Sequence, residues 1–165
     1  MSGETRRGLA ITCNAAAVLA FIMLAQPAKA ADGPNCQIAE GHLTLNISTA
    51  PPVLSAHAVV TGNVSGTYDL TVSLAELVPT SQPAVDIFTG TSVINTRHGD
   101  VLHFAESGTA DFGTGNLSVY WKIVSGSTFN GKAASGHMFF VGHVTPVSPA
   151  ESLGEGDIRG EICTP

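Results

Sequence analysis

Leu117-Ser118-Val119-Tyr120-Trp121-Lys122-Ile123-Val124 decides the fold. Leu117, Val119, Trp121 and Ile123 alternate with Ser118, Tyr120, Lys122 and Val124. A period of two places one set on a buried sheet face and the other outside. Two more stretches repeat the pattern. Leu43, Leu45 and Ile47 alternate with His42, Thr44, Asn46 and Ser48, and Tyr68, Leu70, Val72 and Leu74 alternate with Thr67, Asp69, Thr71 and Ser73. These runs are rich in Val, Thr, Ile and aromatic residues, which favours strand over helix. The reading extends to eight strands, at about 42–48, 56–61, 67–76, 85–95, 100–106, 117–124, 137–144 and 156–163.

Turn residues separate the strands. His98-Gly99-Asp100 divides Thr91–Arg97 from Val101–Glu106 as a hairpin, and Asn63–Gly66, Gly113–Gly115 and Gly131–Gly136 are further turns. Pro51-Pro52, Pro79 to Pro83 and Pro146 to Pro149 mark loops, because proline removes a ladder donor. Regular short strands with glycine-rich connections predict one all-β domain, a single antiparallel β-barrel, with a β-sandwich as the alternative.

The N-terminal 30 residues read as an address. Arg6 and Arg7 precede the apolar run Ala15–Ala25, Gln26-Pro27 breaks it, and Ala28-Lys29-Ala30 offers small residues for a cut after Ala30. The run is too short for a membrane span, which needs about 20 apolar residues. Cys13 precedes most of the apolar run, so it is misplaced for lipidation. The expectation is a signal peptide at 1–30, a barrel domain at 31–165, a secreted or periplasmic location and no membrane span in the mature chain.

The whole chain has 165 residues and a net charge of −6. The mature part keeps four basic residues (Arg97, Lys122, Lys132, Arg159) against twelve acidic ones, a formal charge of −8. That balance excludes a phosphate-neutralising nucleic-acid binder. Two cysteines remain, Cys36 and Cys163, and one pair permits one intramolecular bridge. Export makes that disulfide the default reading. It would join the two ends of the domain and suits sheet closure, favouring barrel over sandwich.

Ile123-Val-Ser-Gly-Ser-Thr-Phe-Asn-Gly-Lys-Ala-Ala-Ser-Gly136 resembles the GGTGRFxGATGxG block of small secreted bacterial proteins related to allene oxide cyclase-like barrels. Asn95-Thr-Arg-His-Gly-Asp-Val-Leu102 is similar to their ANGDxL hairpin, and Gly156-Asp-Ile-Arg-Gly-Glu-Ile162 to their closing GxYxGxI strand. These segments fall in the C-terminal half of the mature chain. Ser127, Asn130 and Lys132-Ala133-Ala134 depart from the block. The resemblance implies the barrel and no activity, because no catalytic residue of the cyclases maps onto this chain.

Sites of chemistry are sparse. Gly126-Ser-Thr-Phe-Asn-Gly131-Lys132-Ala133 falls one residue short of a phosphate loop: Ala133 stands where Ser or Thr must hold Mg²⁺, and a strand follows instead of a helix. Of six histidines, His137 and His143 share a strand face about 20 Å apart. His42, His57 and His103 come from separate strands and could converge inside a barrel; His98 belongs to a hairpin tip. No metal-ligand spacing supports a metal site, so neither metal nor cofactor is expected. Asp86, Asp100, Glu106 and Asp111 are acid/base candidates by type alone, otherwise solvated loop or strand-edge charges. The adjacent pairs Tyr120-Trp121 and Phe139-Phe140 each send one ring to the core. The other lies under a loop or on a contact surface. Asn46, Asn63 and Asn116 head Asn-x-Ser sequons.

The expected function is an exported, non-catalytic barrel that binds a small apolar ligand or a surface partner. The alternatives are an isomerase or cyclase working on an apolar substrate in the barrel, and a structural envelope protein.

Overall fold

The computed structural model describes residues 34–165; the expected export segment and Cys13 lie outside them. Eight long strands carry the fold: β1 (Asn35–Ala50), β2 (Val53–Gly62), β3 (Gly66–Ser73), β4 (Val85–Thr96), β5 (Val101–Asp111), β6 (Asn116–Ile123), β7 (Ser135–Ser148) and β8 (Glu151–Thr164). Each pairs antiparallel with its sequence neighbours. β3 pairs with β4 from Gly66↔Thr96 to Thr71↔Thr91, and β8 returns to β1 from Asn35↔Thr164 to Ser48↔Glu151. The sheet is therefore one closed up-and-down barrel, not a sandwich. Among the described residues closure leaves no long unpaired edge, which is how an all-β chain avoids edge-to-edge association.

The alternation read from the sequence becomes inside and outside. Leu43 and Leu45 of β1, Ala56, Ala58 and Val60 of β2, Ile94 of β4, Leu102 and Phe104 of β5, Val119, Trp121 and Ile123 of β6, and Met138 and Phe140 of β7 are all buried in one core. Each large apolar side chain buried this way contributes roughly 1.5–3 kcal/mol.

The two ends of the barrel differ. At one end lie the start of β1 and the end of β8, the β2–β3 and β4–β5 turns and the excursion between β6 and β7. There Val64, from the β2–β3 turn, is fully buried, and Phe129 packs against the core from the small hairpin Thr128–Phe129/Lys132–Ala133. Asn63 fastens its turn to β1: its side-chain oxygen accepts from Glu40 N–H, and its side-chain amide donates to the Ile38 carbonyl. The Asn63 sequon amide is thus already engaged. The Cys36–Cys163 disulfide staples this end. At the other end the β5–β6 turn, the β7–β8 turn and the β3–β4 connection surround an opening.

Two expectations need correction. The strand expected over 67–76 stops at Ser73, whose hydroxyl accepts from Ala75 N–H and starts a single 3-10 turn at Leu74–Glu76. Pro146, expected in a loop, lies within β7 opposite Ser152, just before a register shift. β7 pairs with β6 only as far as His143↔Asn116. Beyond that point one edge is free, so the missing proline donor removes no ladder bond there.

Candidate functional site

A cavity of about 410 Å³ runs inward from the open end. Its size lies within the range of about 300–1,000 Å³ usual for small-molecule pockets. Its wall is mainly aliphatic and aromatic: Leu43, Leu45, Leu70, Val72, Phe88, Val119 and Phe140 line it. The loop Phe112–Gly115, with Leu77, Thr145 and Ser152, forms the rim. Asp111 shapes that loop, because its carboxylate accepts from Gly113 N–H and Thr114 N–H at 2.9 and 3.1 Å. Hydrogen bonds from the Thr114 side chain and backbone hold Asp111 below the usual carboxylate range.

Two glycines make room for one of the wall's aromatic rings, Phe140. Gly142 and Gly156 face each other across β7 and β8, and the Phe140 ring lies over both. A Cβ on Gly156 would sit 2.7 Å from the Phe140 ring, closer than real side chains approach.

One polar cluster interrupts this apolar wall. Glu106, on the inward face of β5, is only 4% exposed. The Tyr68 hydroxyl donates to its Oε1 at 3.0 Å and lies 3.3 Å from Oε2, and the Ser92 hydroxyl donates to Oε1. Three strands, β3, β4 and β5, supply these groups. Burial raises the pKa of Glu106 from 4.5 to about 7, against the opposing effects of Ser92, Tyr68 and Trp121, which favour the carboxylate. Burial, and then the Glu106 charge, push the Tyr68 hydroxyl well above its ordinary value, so it remains a donor.

Trp121 stands beside this cluster. Its indole is 1% exposed and nearly parallel to Tyr68 at 5.1 Å and to Phe140 at 6.1 Å, with Phe104 tilted at 5.4 Å. The indole Nε1 lies near enough to favour the Glu106 carboxylate, yet it has no partner in hydrogen-bond geometry among the described residues. A buried donor without a partner is uncommon and costs roughly 1–3 kcal/mol.

The other candidates fall elsewhere. His42, His57 and His103 do not converge in the lumen, since each alternates with inward apolar neighbours and faces out. His42 bonds Asp157 at 2.9 Å and His57 bonds Asp69 at 2.7 Å, both across neighbouring strands. His137 stands 3.6 Å from Glu161, and His143 is exposed at the rim. Asp100 is not a solvated charge. It is 7% exposed and accepts from Asn130 N–H and Gly131 N–H at 2.8 and 2.9 Å, holding the tip of the small hairpin. The near-miss phosphate loop is thus a backbone cap on Asp100. Asp86 is half-buried near the start of β4. Among the described residues, the one His/Cys/Asp/Glu cluster close enough to share an ion is Cys36, Glu161 and Cys163, and both sulfurs are spent in the disulfide.

Tyr120 and Phe139 are not covered by loops. They pair directly across β6 and β7 on the outer face, 5.2 Å apart and 38% and 49% exposed.

Glu106 is the residue that reasoning by type undervalued. Leu102, Phe104 and Glu106 keep a strict period of two, so the alternation itself places this carboxyl on the inward face.

The fold and its cavity define a closed antiparallel barrel with an open, largely apolar lumen. Comparison of the chain with family models, with curated proteins and with solved structures gives no match.

Proposed function

We propose that this protein is an exported barrel that holds a small, mainly apolar ligand in its lumen without transforming it. The observation that carries this reading is the open cavity of about 410 Å³, with an aliphatic and aromatic wall and polar groups gathered at one place. The Cys36–Cys163 bond supports export, since such bridges persist in oxidising compartments. On this reading, secreted material begins at Ala31 or within a few residues of it.

The test is calorimetric titration of the secreted protein with a hydrophobic dye, alongside a Leu70→Trp variant that narrows the cavity. Dye binding that Leu70→Trp abolishes supports the lumen. Undiminished binding to the variant moves the ligand to the outer face around Tyr120 and Phe139 and overturns the proposal.

A second reading, an isomerase or cyclase, rests on Glu106 alone. A carboxyl with its pKa near 7 inside an apolar cavity is suited to proton transfer at neutral pH. Chromatography of apolar compounds recovered after incubation separates the readings: unchanged compounds support binding, and a rearranged product lost in Glu106→Gln supports catalysis.

A further inference from the structure

We infer that the lumen selects an uncharged ligand bearing a hydroxyl, seated between Glu106 and Trp121. This rests on the lumen-binding reading and adds the ligand's chemical class.

The argument is one of hydrogen-bond matching. Glu106 and Trp121 are register partners on adjacent strands, and both line the cavity. The Trp121 indole N–H also lies near enough to the Glu106 carboxylate to favour its ionised form, so one ligand atom can reach both. On the Glu106 side, Oε1 is occupied by Tyr68 and Ser92, whereas Oε2 has only the longer 3.3 Å approach of the same Tyr68 hydroxyl. Oε2 therefore has acceptor capacity left. On the Trp121 side, Nε1 is a buried donor with no partner among the described residues. A head group that matches both must accept from an indole N–H and donate to a carboxylate. A hydroxyl does both with one oxygen.

Other head groups match worse. A carboxylate would accept from Trp121 but bring a second negative charge against Glu106 in a poorly solvated site. An ammonium would pair with Glu106 but present only donors to the indole N–H, leaving that N–H unpaired. A hydrocarbon would leave the indole N–H unpaired and Oε2 with only the longer Tyr68 approach. The aliphatic wall between cluster and rim fits the rest of the molecule, so the class is a hydrophobic alcohol entering hydroxyl first.

The experiment is a matched series of octanol, octane, octanoate and octylamine, titrated at about pH 8 by calorimetry. Trp121 is the sole tryptophan of the chain, so its fluorescence gives a second readout from inside the lumen. Octanol should bind most tightly, roughly tenfold or more above the others, the ratio expected for one additional satisfied hydrogen bond to a charged group. In Trp121→Phe, followed by calorimetry, octanol should lose about five- to tenfold while octane is unchanged, which also shows that the variant is folded. In Glu106→Gln the penalty on octanoate should shrink while octanol is retained. Octanoate or octylamine binding as tightly as octanol would overturn the hydroxyl assignment and leave lumen binding standing. Octanoate still excluded from Glu106→Gln would also overturn it. No binding by any of the four overturns the lumen reading itself.

Discussion

Glu106 and Trp121 face each other across β5 and β6, and both turn into the lumen. An acidic side chain is rarely buried unless it is paired with a charge or well hydrogen-bonded. Among the described residues no cation pairs with it. The carboxyl is held by two hydroxyls and flanked by an indole, an arrangement that tolerates both the neutral and the ionised form. That tolerance is costly in a wall otherwise built of Leu, Val and Phe. The cost has consequences for stability that can be measured without knowing the ligand.

The first is pH dependence. Glu106 titrates near 7 when folded and near 4.5 when unfolded, because burial disfavours its charge. Between those values the folded state binds the proton more tightly than the unfolded state does. Stability from this group is therefore complete below about pH 4.5, falls as pH rises through the window, and levels off above about 7. The whole change is on the order of 3 kcal/mol. Urea unfolding of wild type and Glu106→Gln at about pH 4.5 and 8 isolates it from other groups. The variant should lack that difference, and equal pH dependence in both proteins would contradict the burial argument.

Tyr68→Phe tests the hydroxyl that supports the carboxylate. Its hydrogen bond favours the ionised form, so removing it should raise the Glu106 pKa further. Stability should fall by roughly 1.5–3 kcal/mol above pH 7, the range for a bond to a charged group, and by less in acid. The infrared carboxyl band of Glu106 reports the midpoint directly. A midpoint that stays put or moves down would show that Tyr68 has little hold on this group.

Much of this fold is legible in the sequence because a closed two-sided wall writes a period of two into nearly every segment. All eight expected strands are present, and the observed ones mostly run further, as in β1, Asn35–Ala50, against an expected 42–48. The extensions were hidden where glycine occupies inward positions, as at Gly41 of β1 and Gly154 of β8. A core-facing glycine carries no hydropathy signal. The site was half legible. Alternation places Glu106 inside, but its meeting with Tyr68 and Ser92 depends on closure of β3 onto β4, a pairing no local pattern records. The role of Asp100 was hidden for a similar reason, since its partners Asn130 and Gly131 lie thirty residues away in a separate hairpin.

Gly156→Ala probes how Phe140 is seated in the lumen wall. The new methyl would meet the Phe140 ring at 2.7 Å and the Val141 carbonyl oxygen at 2.5 Å. Relief requires Phe140 to swing into the cavity or β8 to shift. Overpacking of this kind costs roughly 1–3 kcal/mol. The variant should unfold at lower urea concentration and bind the hydrophobic dye more weakly, because the ring moves into the binding space. Unchanged affinity would mean that Phe140 does not border the occupied part of the lumen.

The disulfide supplies the last prediction. Cys36 and Cys163 are register partners on β1 and β8, the seam where the first strand meets the last, and they are 127 residues apart in sequence. Without the bond, this seam forms only after the chain has brought its most distant strands together, which is the largest loop-closure cost in the fold. The covalent link removes that freedom from the unfolded state, so most of its effect falls on the unfolded side of the equilibrium. Cys163→Ser should therefore lower stability by roughly 2–5 kcal/mol, the usual range for a native bridge. The seam keeps its backbone ladder as far as Ser48↔Glu151, and the bond lies at the end of the barrel away from the opening. Dye affinity of the folded variant should accordingly stay within about twofold of wild type, as expected for sites without shared partners. Peptide mapping of the denatured, unreduced protein should find Cys36 and Cys163 joined, with neither available to a thiol reagent. Free thiols at both positions would remove the staple from this account, and a variant that unfolds at the wild-type urea concentration would show that the β1–β8 ladder holds the seam without it.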